Sequence, residues 1–323
     1  MRGNEAGGLI EIAQKIPQML RRRSLRVHIL VFLAPTVLVY SLFMIYPLLD
    51  SLWLSLNNKA STGGSEFVGI QNYQTFLSQE RWAKPFWNAL RNNALFFGIH
   101  MLVQNPIGLL LAALLGTRIR GSWIYRTIIF TPTILSVVII GFVWKLILNP
   151  AWGISRGILQ MIGLGSLDTP WLGLESTALV TLSLISVWQN VGIPMMLFLA
   201  ALIRIPEELM EAARVDGAGP WKIFWRIQFP LILPTVGIVS VLTFVGNFNA
   251  FELIYATQGA LAGPNFASDI MGTLFFRTFF GYQLQPADPY MGSAVAGIML
   301  LIILIGVLSY LFGWQRRLQE IRY

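Results

Sequence analysis

Long apolar runs narrow what this chain can become more than any motif does. The first covers about residues 28–49, and comparable runs recur near 92–115, 128–148, 176–203, 229–251 and 291–314. Each is long enough to cross a hydrocarbon core, which takes about 20 helical residues. Lipid offers no water to stray backbone N–H and C=O groups, so a span must be a helix or part of a closed barrel. These runs are continuous and do not alternate, which excludes a barrel. Only 12% of the 323 residues are charged and 55% are hydrophobic, whereas soluble domains carry about 25% charged residues. The expected fold class is an all-α polytopic membrane protein with about six transmembrane helices. A soluble enzyme is excluded.

Basic residues orient the bundle. Of the 23 Lys and Arg, 16 fall in the segments that this layout puts in the cytoplasm and 7 in the outer ones. The positive-inside bias therefore places both termini in the cytoplasm. It also accounts for the net charge of +8 without a nucleic-acid partner. Residues 1–27 are expected to be a cytoplasmic or interfacial segment. Leu9, Ile10, Ile12, Ala13, Ile16, Met19 and Leu20 recur at roughly helical spacing there, followed by Arg21, Arg22, Arg23 and Arg26. The next apolar run is too long for a signal-peptide core, which predicts an uncleaved anchor. Residues 28–315 form the membrane body and 316–323 a cytoplasmic tail with Arg316, Arg317 and Arg322.

Polar groups inside the runs mark faces that avoid lipid. Gln104 and Asn105 precede Pro106, which predicts a kink in the second span. Trp188, Gln189, Asn190, Gly192 and Pro194 sit together in the fourth, which reads as an irregular, cavity-lining helix. The fifth carries Thr243, Asn247, Asn249 and, at its end, Glu252, placed equally well inside the membrane or at its outer rim. Between spans, 50–87 reads as an outer loop whose Trp82 and Trp87 anchor at the headgroup layer. The long segment 256–290 is expected to hold a short helix over 268–280, lying on or dipping into the outer face. There are no cysteines, and His28 and His100 stand apart, so no metal site is expected. No Gly-x-x-x-x-Gly-Lys-Ser/Thr loop is present. The chain has no catalytic site and binds no cofactor of its own.

One polar interruption stands out, the loop at 204–228 between the fourth and fifth runs. Pro206 suits a first helical position, Glu207 and Glu208 suit the first turn, and a helix is predicted to about Val215. Gly217 and Gly219 break it, and Pro220 starts a second helix carrying Trp221, Phe224, Trp225 and Ile227 around Lys222 and Arg226. Within it stand Glu211, Ala212, Ala213, three residues, Gly217, nine residues, then Ile227, Phe229 and Pro230. This spacing resembles the "EAA" loop of permease subunits in bacterial binding-protein-dependent ABC importers, with Phe229 where Leu is usual. The flanking words IPEELMEAARVDGAG and FWRIQFPLILP resemble the carbohydrate-uptake branch, which includes the maltose and glycerol-phosphate or lactose permeases. The chain is similar to the larger maltose permease type without its big outer insertion.

The resemblance implies a type I importer fold in the bacterial cytoplasmic membrane. It implies a second homologous permease, two ATPase subunits that hold ATP and Mg, an extracytoplasmic solute-binding protein and a carbohydrate substrate. Glu211, Ala212, Ala213, Asp216 and Gly217 would form a coupling helix for the ATPase. Trp188, Gln189, Asn190, Thr243, Asn247 and Asn249 would line the substrate pathway. Gly246 and Ala250 replace a pocket aromatic and a pocket amide of the maltose relative, which implies a glycoside of different shape, polar or charged. A secondary sugar transporter working without an ATPase, or a membrane scaffold that recruits a soluble partner, are the alternatives from other classes.

Overall fold

The computed structural model of the chain describes residues 29–60, 64–117, 119–283 and 285–315. The expected interfacial helix within 1–26, its basic run and the tail arginines at 316, 317 and 322 lie outside the described residues. The chain divides into two compact units, Met1–Leu54 and Ser55–Tyr323. In the first, helix α1, Ile29–Ser55, is apolar all round, and none of its most hydrophobic stretch is buried within the protein, as befits a lipid-facing span.

The second unit is built from helices around three apolar clusters. A two-stranded antiparallel ribbon, β1 Asn57–Lys59 and β2 Ser65–Phe67, opens it. It leads into α2, Gln71–Ser78, and the 36-residue α3, Glu80–Leu115. Helices α4 (Ser122–Ile134) and α5 (Val137–Ile147) meet at 96°, and α7 (Ala178–Asn190) and α8 (Gly192–Ile203) at 43°. The short α6, Ile154–Met161, lies between these pairs. An elbow follows: α9 Glu207–Val215 and α10 Pro220–Ile223. The chain continues as α11 Phe229–Phe248, α12 Glu252–Gln258, α13 Met271–Phe280 and α14 Pro289–Gln315. Counting each bent pair as one span gives six helical crossings by length and composition, as expected.

Packing follows the apolar faces. Phe198, Leu199 and Leu202 of α8 pack with Ala112 and Leu115 of α3 and Ile232 and Val239 of α11. Gly108 permits this close approach, since a Cβ there would meet the Met195 backbone and Pro194 at 3.1 Å. Phe96, Ile140, Leu182 and Ile254 join α3, α5, α7 and α12. Phe76, Phe86, Leu274 and Val295 join α2, α3, α13 and α14.

Proline is handled in two ways. Pro106 was expected to kink the second span. Instead α3 runs on through a π turn at His100–Gln104, just ahead of the proline. The turns Ser41–Ile45 and Phe224–Gln228 stand in the same relation to Pro47 and Pro230. Widening the turn relieves the clash between a proline ring and the preceding carbonyls. The third span is not one continuous helix. Leu135 and Ser136 turn extended beyond Pro132, and the chain bends sharply there.

One outer segment also differs from expectation and a second narrows it. Residues 50–87 are mostly helical rather than a loop. Asn72, buried, donates through Nδ2 to the carbonyls of Ser55 (2.9 Å) and Asn57 (2.6 Å), which ties α2 to the ribbon. Trp82 stacks on Phe76 at 5.7 Å and packs on the third cluster, so it is not a free interfacial anchor. The helix expected over 268–280 forms as α13, and six of its residues are buried, which excludes a helix merely lying on a surface. Its Arg277 pairs with Asp269 at 2.8 Å, the two side chains only 5% and 1% exposed.

Candidate functional site

Four elements, α3, the α7–α8 bend, α11 and α12, enclose a cavity of about 460 Å³. Its polar wall is built by helix breaks and buried amides. At the α4–α5 break the Leu135 carbonyl has no helical partner, and Gln189 donates to it through Nε2 at 3.3 Å. The Thr133 hydroxyl donates to the Gln189 carbonyl at 2.8 Å, fixing the end of α7 against α4. One turn earlier, Ser186 lies 3.0 Å from His100 Nε2, while His100 Nδ1 contacts the Phe96 carbonyl at 2.8 Å. Asn190 donates back to the Ser186 carbonyl at 3.0 Å.

The opposite wall is α11. The Thr243 hydroxyl lies 2.8 Å from the Val239 carbonyl and 3.2 Å from Asn105 Oδ1. Asn247 donates to the Thr243 carbonyl at 2.6 Å. Its own carbonyl accepts from Asn93 Nδ2 at 2.9 Å, and Asn93 Oδ1 accepts from the Met271 N–H at 2.7 Å. A single buried amide thus joins the end of α11 to the start of α13. Below it Asp269 and Arg277 form a two-point pair, and Arg277 also donates to the Ala260 carbonyl at 2.9 Å. Burial pushes the Asp269 carboxyl up from its ordinary range, while Arg277 and Thr273 pull it back down. Phe96, Phe251 and Leu253 supply apolar lining, and Glu252, exposed, completes the rim.

The elbow is built differently. No residue of α9 is buried. Glu211, Ala212, Asp216 and Gly217 are exposed and Ala213 is half-buried. Leu209 and Val215 are left 46% and 87% exposed, an unusual state for apolar side chains on a helix that only caps its own bundle. Gly217 has φ +77°, the left-handed region that closes a helix end. Its N–H reaches the Arg214 carbonyl and that of Ala218 the Ala213 carbonyl. From Pro220 the helix continues through the π turn into α11, so the elbow and the wall bearing Thr243 and Asn247 are ends of one rod.

Residues 104–319 match the family model of the binding-protein-dependent transport system inner membrane component. The chain belongs to this family. It is accordingly a permease subunit of an ABC transporter. It is 34% identical to the probable ABC transporter permease protein YurN of Bacillus subtilis (strain 168) over 84% of this chain and 91% of that protein. It is 29% identical to the multiple sugar-binding transport system permease protein MsmF of Streptococcus mutans, covering 87% and 92%. The fold is that of a permease chain in the crystal structure of a bacterial alginate ABC transporter in complex with an alginate pentasaccharide-bound periplasmic protein. That match has TM-score 0.74 and 23% identity, and covers 91% of this chain and 94% of the other.

Within this permease, Gln189, Asn190, Thr243, Asn247 and Asn249 all line the one cavity. Trp188 does not. It is 45% exposed and packs edge-on against Trp144 at 5.6 Å, beside Trp171 in a separate depression. On a helix, a residue one position from the inward Gln189 is turned about 100° away, which is why a contiguous polar stretch overstates the wall. His100, Ser186 and Phe96 belong to the cavity and were not singled out for it from sequence. Their signal was spacing: Ser186 stands one turn before Asn190, and His100 and Phe96 one and two turns before Gln104. Among the described residues no group of three or more His, Cys, Asp or Glu could hold a metal ion.

Proposed function

We propose that this permease is the membrane subunit of a carbohydrate importer of the bacterial cytoplasmic membrane. It forms half of the translocation pathway beside a second homologous permease. Two ATPase subunits, carrying ATP and Mg, dock on the elbow, and an extracytoplasmic binding protein delivers the solute. The supporting observation is the elbow itself. α9 buries nothing of its own and exposes Leu209 and Val215, yet it joins directly to the rod whose far end lines the cavity. Glu211 offers a carboxylate and Ala212 a close approach to a docking partner, while Gly217 sets the reversal.

ATP binding would draw the two ATPase subunits together, move both elbows and open the cavity outward. Hydrolysis would reset it. This is a population change between two packed arrangements. Gln189, Asn190, Asn247 and Asn249 would meet solute hydroxyls, and Phe96 and Phe251 the C–H faces of sugar rings. The names of relatives such as the multiple sugar-binding system support a carbohydrate. Gly246, beside which nothing lies within 4 Å, leaves room on the α11 wall for a glycoside unlike maltose.

The test is purification of the membrane complex with Glu211→Arg. The reading expects an ATPase subunit in fixed ratio with the wild-type chain and at least a tenfold loss of it with the variant, the permease itself remaining folded. Solute uptake at the normal rate by this chain with no ATPase subunit present would overturn the reading in favour of a facilitator.

A further inference from the structure

The cavity wall is unbalanced in charge. A backbone carbonyl only accepts, so an amide that touches one presents an N–H to it. Gln189, Asn190 and Asn247 each do so, to the carbonyls of Leu135, Ser186 and Thr243 respectively. Gln189 and Asn247 each keep a second N–H and a side-chain oxygen without a partner among the described residues, and the Asn249 amide on the same wall has no side-chain bond among them. Gln104 Oε1, buried and lining the same space, has no partner either. These amides can donate and accept alike. To these neutral groups the rim adds Glu252, a carboxylate with no ion pair among the described residues. It is the one Asp, Glu, Lys or Arg in the cavity lining.

Resting on the importer reading above, we propose that the lone charge of this cavity sets its selectivity. It admits neutral or amine-bearing glycosides and discriminates against anionic ones, with Glu252 as the specificity-determining charge. A sugar hydroxyl can exchange hydrogen bonds with any of the amides. An ammonium group donates and is also drawn to Glu252. A uronate or phosphate meets no Lys or Arg on the wall and is repelled by the carboxylate. Like charges about 6 Å apart in a half-wet cavity repel enough for roughly a tenfold loss of binding. Helix α12 begins at Glu252, and a purely local role in stabilising that first turn is the competing explanation.

The experiment uses the assembled importer in detergent, without binding protein. Equilibrium binding is measured for trisaccharides of glucose, glucosamine and glucuronic acid. The wild type should bind the uronate at least tenfold more weakly than the neutral sugar. Glu252→Gln should bring the two within about threefold and weaken the amino sugar, at both low and moderate salt. Gln104→Met should weaken all three alike. Equal binding of uronate and neutral sugar by the wild type would overturn the proposal. So would a uronate-to-neutral ratio that Glu252→Gln leaves unmoved while the complex stays assembled, which would assign Glu252 the local role. If none of the three sugars binds and none stimulates the ATPase, the carbohydrate-importer reading itself fails, a result distinct from either.

Discussion

Removing one half of the buried Asp269–Arg277 pair should be among the most damaging single changes in the chain. The two side chains are 1% and 5% exposed, and Arg277 donates to both Asp269 oxygens, at 3.2 and 2.8 Å, and to the Ala260 carbonyl. Its guanidinium also sits 4.8 Å from the centre of the Phe266 ring. In Arg277→Met, Asp269 keeps only the Thr273 hydroxyl at 2.7 Å, and a carboxylate that solvent cannot reach stands uncompensated. Breaking such a pair costs about 3–5 kcal/mol. Replacing both partners, Asp269→Leu with Arg277→Met, removes the stranded charge and should recover most of that loss, because a buried pair gains little over apolar packing of similar volume. The assay is thermal unfolding of the purified complex, comparing both single variants with the double. A single variant that melts with the wild type would refute the uncompensated-charge argument, as would a double variant as unstable as the two losses added.

Two further outcomes follow from contacts already described. Asn93→Leu strands the Met271 N–H and takes one partner from the Asn247 carbonyl, which keeps the Ala250 N–H at 3.3 Å. A buried orphan costs about 1–3 kcal/mol, so melting should fall and α13 should become the first segment to exchange its amide hydrogens. Gly217→Val meets no neighbour within 4 Å, yet holds φ +77°, so its cost is conformational, about 1–2 kcal/mol. Melting of the complex should change little while transport per ATP hydrolysed falls, and unchanged coupling would show that the elbow's reversal is not needed.

The six crossings were legible because lipid allows so few solutions. A run of twenty apolar residues has to be helical whatever its neighbours do. What happens at the prolines was not legible. Pro106 read as a kink and the stretch ending at Pro194 as an irregular helix, but the first is absorbed by a π turn, while Pro132 and Pro194 lie beside bends of 96° and 43°. The difference lies in partners. The α4–α5 break is tolerated because Gln189 of α7 donates to its loose Leu135 carbonyl, while Thr133 of α4 donates in return to the Gln189 carbonyl at the α7–α8 bend, and such partners lie more than fifty residues away in sequence. The burial of the outer segment 256–290 was not legible for the same reason. Its helix holds because Asp269 and Arg277 satisfy each other, with Asn92 holding the carbonyls of Ala267 and Asp269 from α3.

The cavity was half legible, and the missing half is the one that matters for recognition. Residue type marks Gln189, Asn190 and Asn247 as polar groups in an apolar run, and that alone sends them inward. It says nothing of what each amide is already bonded to. Asn190 and Asn247 donate to carbonyls one turn back on their own helices, those of Ser186 and Thr243, and straight helices would keep those bonds. Gln189 instead donates to the Leu135 carbonyl, which the α4–α5 break sets free 54 residues away in sequence. Its placement therefore depends on where another span breaks. The charge of the wall is a separate matter: Glu252 stands at the start of α12, and only the fold brings that helix to the same cavity as Gln189 and Asn247.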